Sequence, residues 1–491
     1  MLSSNKNRTS IIGTIKMKFS KSISIRILLL SLIILSQIKC SKIVSVPEPV
    51  TTVTSSEAFS TDAQANSVLA GVYSAMINTS DAFICSGALS VYTAMSSDEL
   101  NSVDQTASYL VQFQNNELQS TNGILNTNFW TPAYSYIYTA NAAIAELESA
   151  HSISDSARRV LKGEAKFVRA LCYYYLVNIF GDVPLVLTTN YNKTSLLAKT
   201  SSTEILSSVV ADLKDAIGLL PVDYSISNGE RIRPNKWAAD ALLARVSLLT
   251  QNWATAESYS DSVISNYNLF QLQDSLPNVF LKNSSEAIWQ LQPNSQNCCN
   301  YSAVPEGVLL IPYDSTHSPT YSLTPQLLNS FEANDKRRLI WVDSVNFNGS
   351  YFYYPYKYTI GPAQVYTAPQ TQYYMVLRLA EQYLIRAESR LQNGDVNGAI
   401  ADMNRIRNRA GLTNYLGATD KQAILNAILH ERQTELFCEW GQRWLDLKRT
   451  GLALPYFGTF KPNWSPNALL YPIPLSELIA DPNLKQNIGY N

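Results

Sequence analysis

Between residues 376 and 411 the apolar positions recur at helical spacing. Val376, Ala380, Tyr383, Leu384, Ala387 and Leu391 fall on one face, with Arg378, Glu381, Arg386 and Arg390 on the other. That predicts an amphipathic helix. Asn393-Gly394-Asp395 breaks it, because glycine readily takes the left-handed conformation at a helix end. A second amphipathic run follows through Val396, Ala399, Ile400, Met403, Ile406 and Ala410. Two helices on a short turn pack antiparallel, and Ala387 and Ala399 sit where they cross closely. The pattern is that of a tetratricopeptide-type helix pair.

One pair cannot bury its own apolar face, so siblings are expected. Residues 234–264 form one: Ala244, the turn Gln251-Asn252 and Ala256 keep the offsets of Ala387, Gly394-Asp395 and Ala399. Pro234 suits the first turn of its helix. A looser pair covers residues 129–147 and 157–179. Further helices are predicted at 59–76 (capped by Ser60 or Thr61), 130–150, 162–180 and 204–220, with Pro221 ending the last. Residues 109–125 read as irregular. Helical periodicity disappears at 271–322 and mostly again at 340–373, where Pro, Asn, Ser and Tyr dominate. Short apolar pieces at 287–291 and 308–311 are strand candidates within this insertion. Helices resume at Tyr373 and run to Leu452. The fold class is therefore all-α dominated, α-rich with minor β: tetratricopeptide-like helix pairs packed against a loop-rich subregion, which such a long insertion marks as functional.

With 491 residues and 46% apolar content, a substantial core is available. The net charge of -1 argues against a nucleic-acid partner. The N-terminus changes the picture more. Met17 opens a basic segment, and residues 27–34 (ILLLSLII) form an apolar run too short to span a bilayer. Residues 1–39 thus read as a cleaved signal peptide, with Met17 a candidate true start. Cys40 follows, placed like a bacterial lipoprotein acylation site, and residues 40–55 form a Pro/Thr/Ser linker suited to tethering a body to an anchor. Of the six cysteines, Cys172 and Cys438 fall in helical segments as buried thiols. Cys298 and Cys299 are adjacent and would bridge each other only with strain.

No catalytic motif emerges. Glu431, Glu435, Glu439 and Asp446 alternate with Arg432, Arg443 and Arg449 at helical spacing, for example Glu439 with Arg443. Beside Trp440 and Trp444 they read as a partly buried ion-pair network. His430-Glu431 opens like a zinc-protease motif, but Thr434 fills the second histidine position. His151, His317 and His430 are scattered, so no metal site and no cofactor are expected. Walker, GxGxxG and GxSxG patterns are missing. The 29 tyrosines point elsewhere. Pyranose rings are held by flat aromatic faces, with amides and charges at their hydroxyl rims. The insertion supplies Tyr301, Tyr313, Tyr321, Trp341, Tyr351, Phe352, Tyr353, Tyr354, Tyr356, Tyr358 and Tyr366, with Asn297, Asn300, Asn346 and Asn348. Phe83, Tyr92 and Tyr109 come from an earlier stretch. Tyr301, Tyr313, Trp341, Tyr354 and Tyr109 are the chosen ligand contacts, on an exposed platform.

Several stretches together resemble the SusD/RagB-like nutrient-binding lipoproteins of the Bacteroidetes outer membrane. They are the Cys40 linker, FSTDAQANSVLAGVYSAM, Trp130/Tyr134/Asn141, GEAKFVRALCYYYLVNIFGDVPLV, NSSEAIWQLQ, ERQTELFCEWGQRWLDLKRTG and the tail YPIPLSELIADPNLKQNIGY. Ile488 stands where the family tail often has Pro, and Lys39 where a small residue usually precedes the cysteine. The resemblance implies a surface-exposed, lipid-anchored outer-membrane protein that binds oligosaccharide and sits on a SusC-like TonB-dependent transporter without catalysing anything. It divides the chain into a helical-repeat part (56–270), the loop-rich insertion (271–372) and a C-terminal helical part with its tail (373–491). The rival readings are a peptide-binding member of the same family, a secreted all-α glycoside hydrolase, which would need two carboxylates in a cleft, and a pure scaffold.

Overall fold

The computed structural model describes residues 55–77, 84–293, 302–461 and 463–490. The expectations at residues 1–54 (signal segment, Met17, Cys40 and linker), at Phe83, and at Asn297, Cys298, Cys299, Asn300 and Tyr301 lie outside the described residues.

The chain opens with α1 (Asp62–Ile77), capped by Thr61, whose Oγ1 accepts the Gln64 N–H at 3.2 Å. Then come α2 (Leu89–Ser96), β1 (Leu100–Ser102) and α3 (Ser108–Asn115). The helical array follows: α4 (Thr131–Ser149), α5 (Asp155–Phe180), α6 (Ser202–Leu219), α7 (Lys236–Leu249) and α8 (Trp253–Ile264). Ser154, Ser201, Asn235 and Asn252 cap α5 to α8, each accepting the N–H three residues on. Pro234 therefore stands one residue before the cap of α7 rather than in its first turn.

After Ile264 the chain leaves the array. It runs through β2 (Ala287–Leu291), α9 (Pro305–Leu310), β3 (Tyr321–Leu323), the hairpin β4 (Val342–Phe347) and β5 (Ser350–Pro355), and β6 (Tyr374–Arg378). It returns as α10 (Leu379–Asn393), α11 (Val396–Arg409), α12 (Lys421–Glu435) and α13 (Gln442–Arg449). Each helix from α4 to α8 packs on the next, and α8 packs directly on α10, so the array is continuous in space. Two small clusters carry the repeat. Ala387, Leu391, Ala399 and Met403 close on Ile424 and Ile428 of α12, while Ala244, Leu248 and Ala256 close on Ile385 of α10. Gly394, at φ 95°, makes the tight turn between α10 and α11, as its sequence position predicts.

Three antiparallel strand pairs anchor the insertion: β1 with β3, β2 with β6, and β4 with β5. The β4–β5 hairpin turns at Asn348-Gly349, both at positive φ, as a twisted two-residue turn requires. Four sequence expectations change here. Residues 376–378 belong to β6, not to α10; every β2 and β6 residue is buried, so neither strand shows alternation, and the offset from Val376 to Ala380 imitates a helix. Residues 308–310 are helical, in a helix that Pro305 starts at its first turn. Residues 108–115 are helical too, with Leu110 and Phe113 buried and Asn116, at φ 59°, ending the helix. Lastly, the C-terminal helix is interrupted at residues 436–441. Cys438 and Trp440 take φ of 52° and 48°, a left-handed conformation unfavourable for bulky side chains. They are held there by bonds from Cys438 N to Glu99 Oε2 (3.2 Å) and from Trp440 Nε1 to the Met375 carbonyl (2.7 Å).

Candidate functional site

The β1–β3 ladder pairs Leu100 with Leu323 and Ser102 with Tyr321, and continues as a bond from Val103 N to the Thr320 carbonyl at 3.0 Å. It thereby holds residues 100–103 against residues 320–323, with Tyr109 and Tyr313 on the segments that lead away from the pair. Tyr109, in the first turn of α3, is 53% exposed, and Tyr313 is 56% exposed. Tyr109 lies near buried Tyr321: burial, aided by the Tyr92 and Tyr109 phenols, raises the Tyr321 hydroxyl well above its ordinary pKa. Tyr313 packs edge-on against the His317 ring, 5.1 Å between centroids. Asp314 fixes that ring with an Oδ1–Nδ1 contact of 2.8 Å. Hydrogen bonds from the Thr316 hydroxyl, then from His317, hold the Asp314 carboxyl far below its usual value.

Beside the β1–β3 pair lies a polar cleft of about 230 Å³. Asn101, Gln114, Asn115, Gln326 and Asn463 line it, with Asp98 and Lys461 at its base. Burial pushes the Lys461 amine down to about 7; its Nζ donates to the Met95 and Ser96 carbonyls at the end of α2. Asp98 is fully engaged: Arg443 forks onto it at 2.8 and 2.9 Å and the Tyr456 hydroxyl donates at 2.6 Å. Burial alone would raise its pKa, but these partners hold it below normal. Sequence reasoning misses this amide cleft. Its only signal there is the Asn/Gln density of residues 101–119.

Two chosen aromatics are elsewhere. Trp341 is 1% exposed, its Nε1 donating to the Leu276 carbonyl at 3.2 Å. Lys357 Nζ lies 5.1 Å from the Trp341 ring and the Arg409 guanidinium 5.6 Å. Tyr354 is 8% exposed and donates to Asp343 at 3.2 Å. Neither stands on an exposed platform: Trp341 is sealed under two cations, and Tyr354 points inward from β5. Tyr92, Tyr321 and Tyr358 are buried as well, whereas Tyr351 and Tyr366 are exposed.

The carboxylates of the α12–α13 region form a buried network, and most of its cations come from other elements. Glu435 accepts from Arg378 at 2.6 Å, from Arg337 at 3.1 Å and from Arg409. Glu439 takes Arg378 and Lys357; Glu431 takes Arg337 and Arg407. The Glu439–Arg443 pair does not form, because residues 436–441 break the helical register and Arg443 turns to Asp98. Asp446 does pair with Arg432 and Arg449. Two nearby acids make no ion pair among the described residues. Burial pushes Glu99 up to about 8, with Asp98 adding to the rise, and pushes Glu306 up to about 8.

Residues 51–248 match a family model described as starch-binding associating with outer membrane, and residues 341–490 match the SusD family model. The chain belongs to the SusD/RagB-like family. SusD-like protein P25 of Formosa agariphila is 28% identical over 423 residues, covering 74% of this chain and 78% of that protein. The starch-binding protein SusD of Bacteroides thetaiotaomicron is 34% identical over 131 residues, covering 23% of this chain and 21% of that one. A solved SusD superfamily structure from Bacteroides vulgatus superposes with a TM-score of 0.73 at 22% identity, covering 87% of this chain and 99% of the other. A laminarin-binding SusD-like protein gives 0.72 at 24% identity, with the same coverage. The α-rich, tetratricopeptide-like SusD fold is thus shared along nearly the whole described chain.

Proposed function

We propose that the protein binds glycan without altering it, at the β1–β3 pair and the segments bearing Tyr109 and Tyr313. The observation that carries this reading is an amide-lined cleft beside the β1–β3 pair, with half-exposed Tyr109 and Tyr313 on the segments leaving that pair; aromatic faces and amides are what a sugar site needs. The starch-binding and laminarin-binding relatives support a glycan over other ligands. The carboxylates argue against hydrolysis: Asp98, Glu431, Glu435 and Glu439 are held by cations, and Glu99 and Glu306 are buried inside the fold. Delivery goes to a SusC-like TonB-dependent transporter, with the protein tethered at the outer-membrane surface by lipid on Cys40.

Calorimetry with soluble starch and with laminarin tests the site. The Tyr109→Ala/Tyr313→Ala double variant should lose about thirtyfold in affinity, as two contacts of roughly 1 kcal/mol each imply. Its thermal melt should match that of the parent, and long incubation should release no shorter sugar. Unchanged affinity would remove these tyrosines from the site. The anchor is read separately by fractionation: Cys40→Ala should move the protein from the membrane to the soluble fraction, and an unaltered distribution would discard lipid attachment there.

A further inference from the structure

A cavity of about 1210 Å³ lies among α5, α6, α13 and the C-terminal tail, and neither Tyr109 nor Tyr313 lines it. Lys448, in the last turn of α13, lines it and donates to the main-chain carbonyl of Asn178 on α5. Among the described residues no carboxylate oxygen comes within 4.0 Å of Lys448 Nζ. Its neighbour Arg449, by contrast, is gripped by Glu388 at 2.6 Å and Asp446 at 2.8 Å. Lys199, which also lines the cavity, likewise donates to a neutral oxygen, Asn487 Oδ1, at 2.7 Å. Asp182 is the one carboxylate among the lining residues, and it is occupied by the Ser202 N–H and hydroxyl at 2.7 and 2.6 Å. Lys448 thus has no anionic partner among the described residues of the cavity, whereas Asp182 lies near enough to Lys199 to favour its charged form. The lining also includes the aliphatic side chains of Leu206, Val210 and Leu249, and no aromatic ring is among the lining residues.

We propose that this cavity binds an amphipathic organic anion, its carboxylate head on Lys448 and its aliphatic body along Leu206, Val210 and Leu249. Lys448 has only the neutral Asn178 carbonyl and the Trp444 ring, 5.8 Å from its Nζ, to compensate its charge, and a charge-assisted contact to a carboxylate is the stronger arrangement. Burial, which lowers the Lys448 amine to about 7, favours the same partner, because an adjacent anion restores the charged form. A sugar acid fits less well: its ring would find no flat face to stack on.

Calorimetry on the full chain with octanoate, 1-octanol and galacturonate as probes tests this. Octanoate should bind saturably at one site per chain. Lys448→Met should weaken it at least tenfold, and the Tyr109→Ala/Tyr313→Ala variant should leave it unchanged. Ser207→Trp, an exposed substitution at the cavity wall, should block octanoate by filling the space, which keeps the test valid if Lys448→Met fails to fold. Octanol binding as tightly as octanoate would overturn the anionic head, and galacturonate binding more tightly would overturn the aliphatic body. The absence of saturable octanoate binding, or full affinity in both variants, would overturn the site itself.

Discussion

Replacing Glu435 by alanine should cost about 3–5 kcal/mol, the usual penalty for breaking a buried ion pair from one side. Set against a total stability of roughly 5–15 kcal/mol, that moves the urea midpoint far down. The carboxylate is wholly buried and sits among three guanidinium groups, those of Arg337, Arg378 and Arg409. Burial alone would raise its pKa, yet Arg409, Arg378 and Arg337 hold it far below the normal range. Removing it takes an acceptor from each of the three guanidinium groups and leaves their buried N–H donors incompletely bonded inside the protein. Glu435→Gln keeps the shape and one acceptor but not the charge, so it should fall almost as far. Glu148→Ala serves as the control: its bond to Lys162, 2.7 Å long, lies at the surface and should be worth less than about 1 kcal/mol. A Glu435→Gln chain as stable as the parent would show that the network does not depend on that charge. The network also has a positional role, because it ties β6 and the 335–337 turn of the insertion to α11 and α12.

The helix pairs are readable because their signal is local. Ala387 and Ala399, or Ala244 and Ala256, are close in sequence, and small residues at fixed offsets on either side of a turn fit little besides a close helix crossing. What escapes depends on residues distant in the chain. Nothing near Trp341 says that Lys357 and Arg409 will cover it, so an aromatic in a loop-rich stretch reads as surface when it is core. The same holds for Arg378. Its position beside Leu379 suggests the polar face of a helix, but a strand partner at Ala287 turns it inward to Glu435 and Glu439. The ion-pair network is visible as composition, but its pairings are not. The helical rule that links Glu439 to Arg443 fails once Cys438 and Trp440 adopt left-handed backbone. The candidate face is half legible. Residue type alone points to Tyr109 and Tyr313, but what links the segments that bear them is β1 meeting β3, a pairing across more than two hundred residues.

The Tyr313 segment depends in turn on a buried acid. Glu306, in the first turn of α9, accepts from the Ser90 hydroxyl and from Tyr374 OH, the latter at 3.0 Å, and α9 leads directly into the segment bearing Tyr313. Ser90 also accepts the Trp440 N–H at 2.9 Å, so one hydroxyl joins α2, α9 and the strained turn. Burial pushes the Glu306 pKa up to about 8; Glu439 adds to the rise, while the bonds from Ser90 and Tyr374 and the Lys357 charge work against it. A carboxyl whose pKa is raised on folding contributes its stability fully below the unfolded value of 4.5 and loses it as pH rises through the folded value. Between these limits the unfolded chain is ionised at this residue and the folded one is not, so folding stability falls by about 1.4 kcal/mol per pH unit from this group alone. Glu306→Gln removes the titration and keeps the shape. The stability of the variant relative to wild type should therefore climb steadily from about pH 5 to pH 8 and level off above. The difference between the two curves is the quantity to measure, by urea unfolding at each pH. Glu99 titrates in both chains, while Lys448 and Lys461, lowered to about 7, gain stability as pH rises and partly mask the raw decline. Parallel curves for the two chains would mean that Glu306 is already ionised in the folded protein, and that α9 is held by something other than a neutral acid.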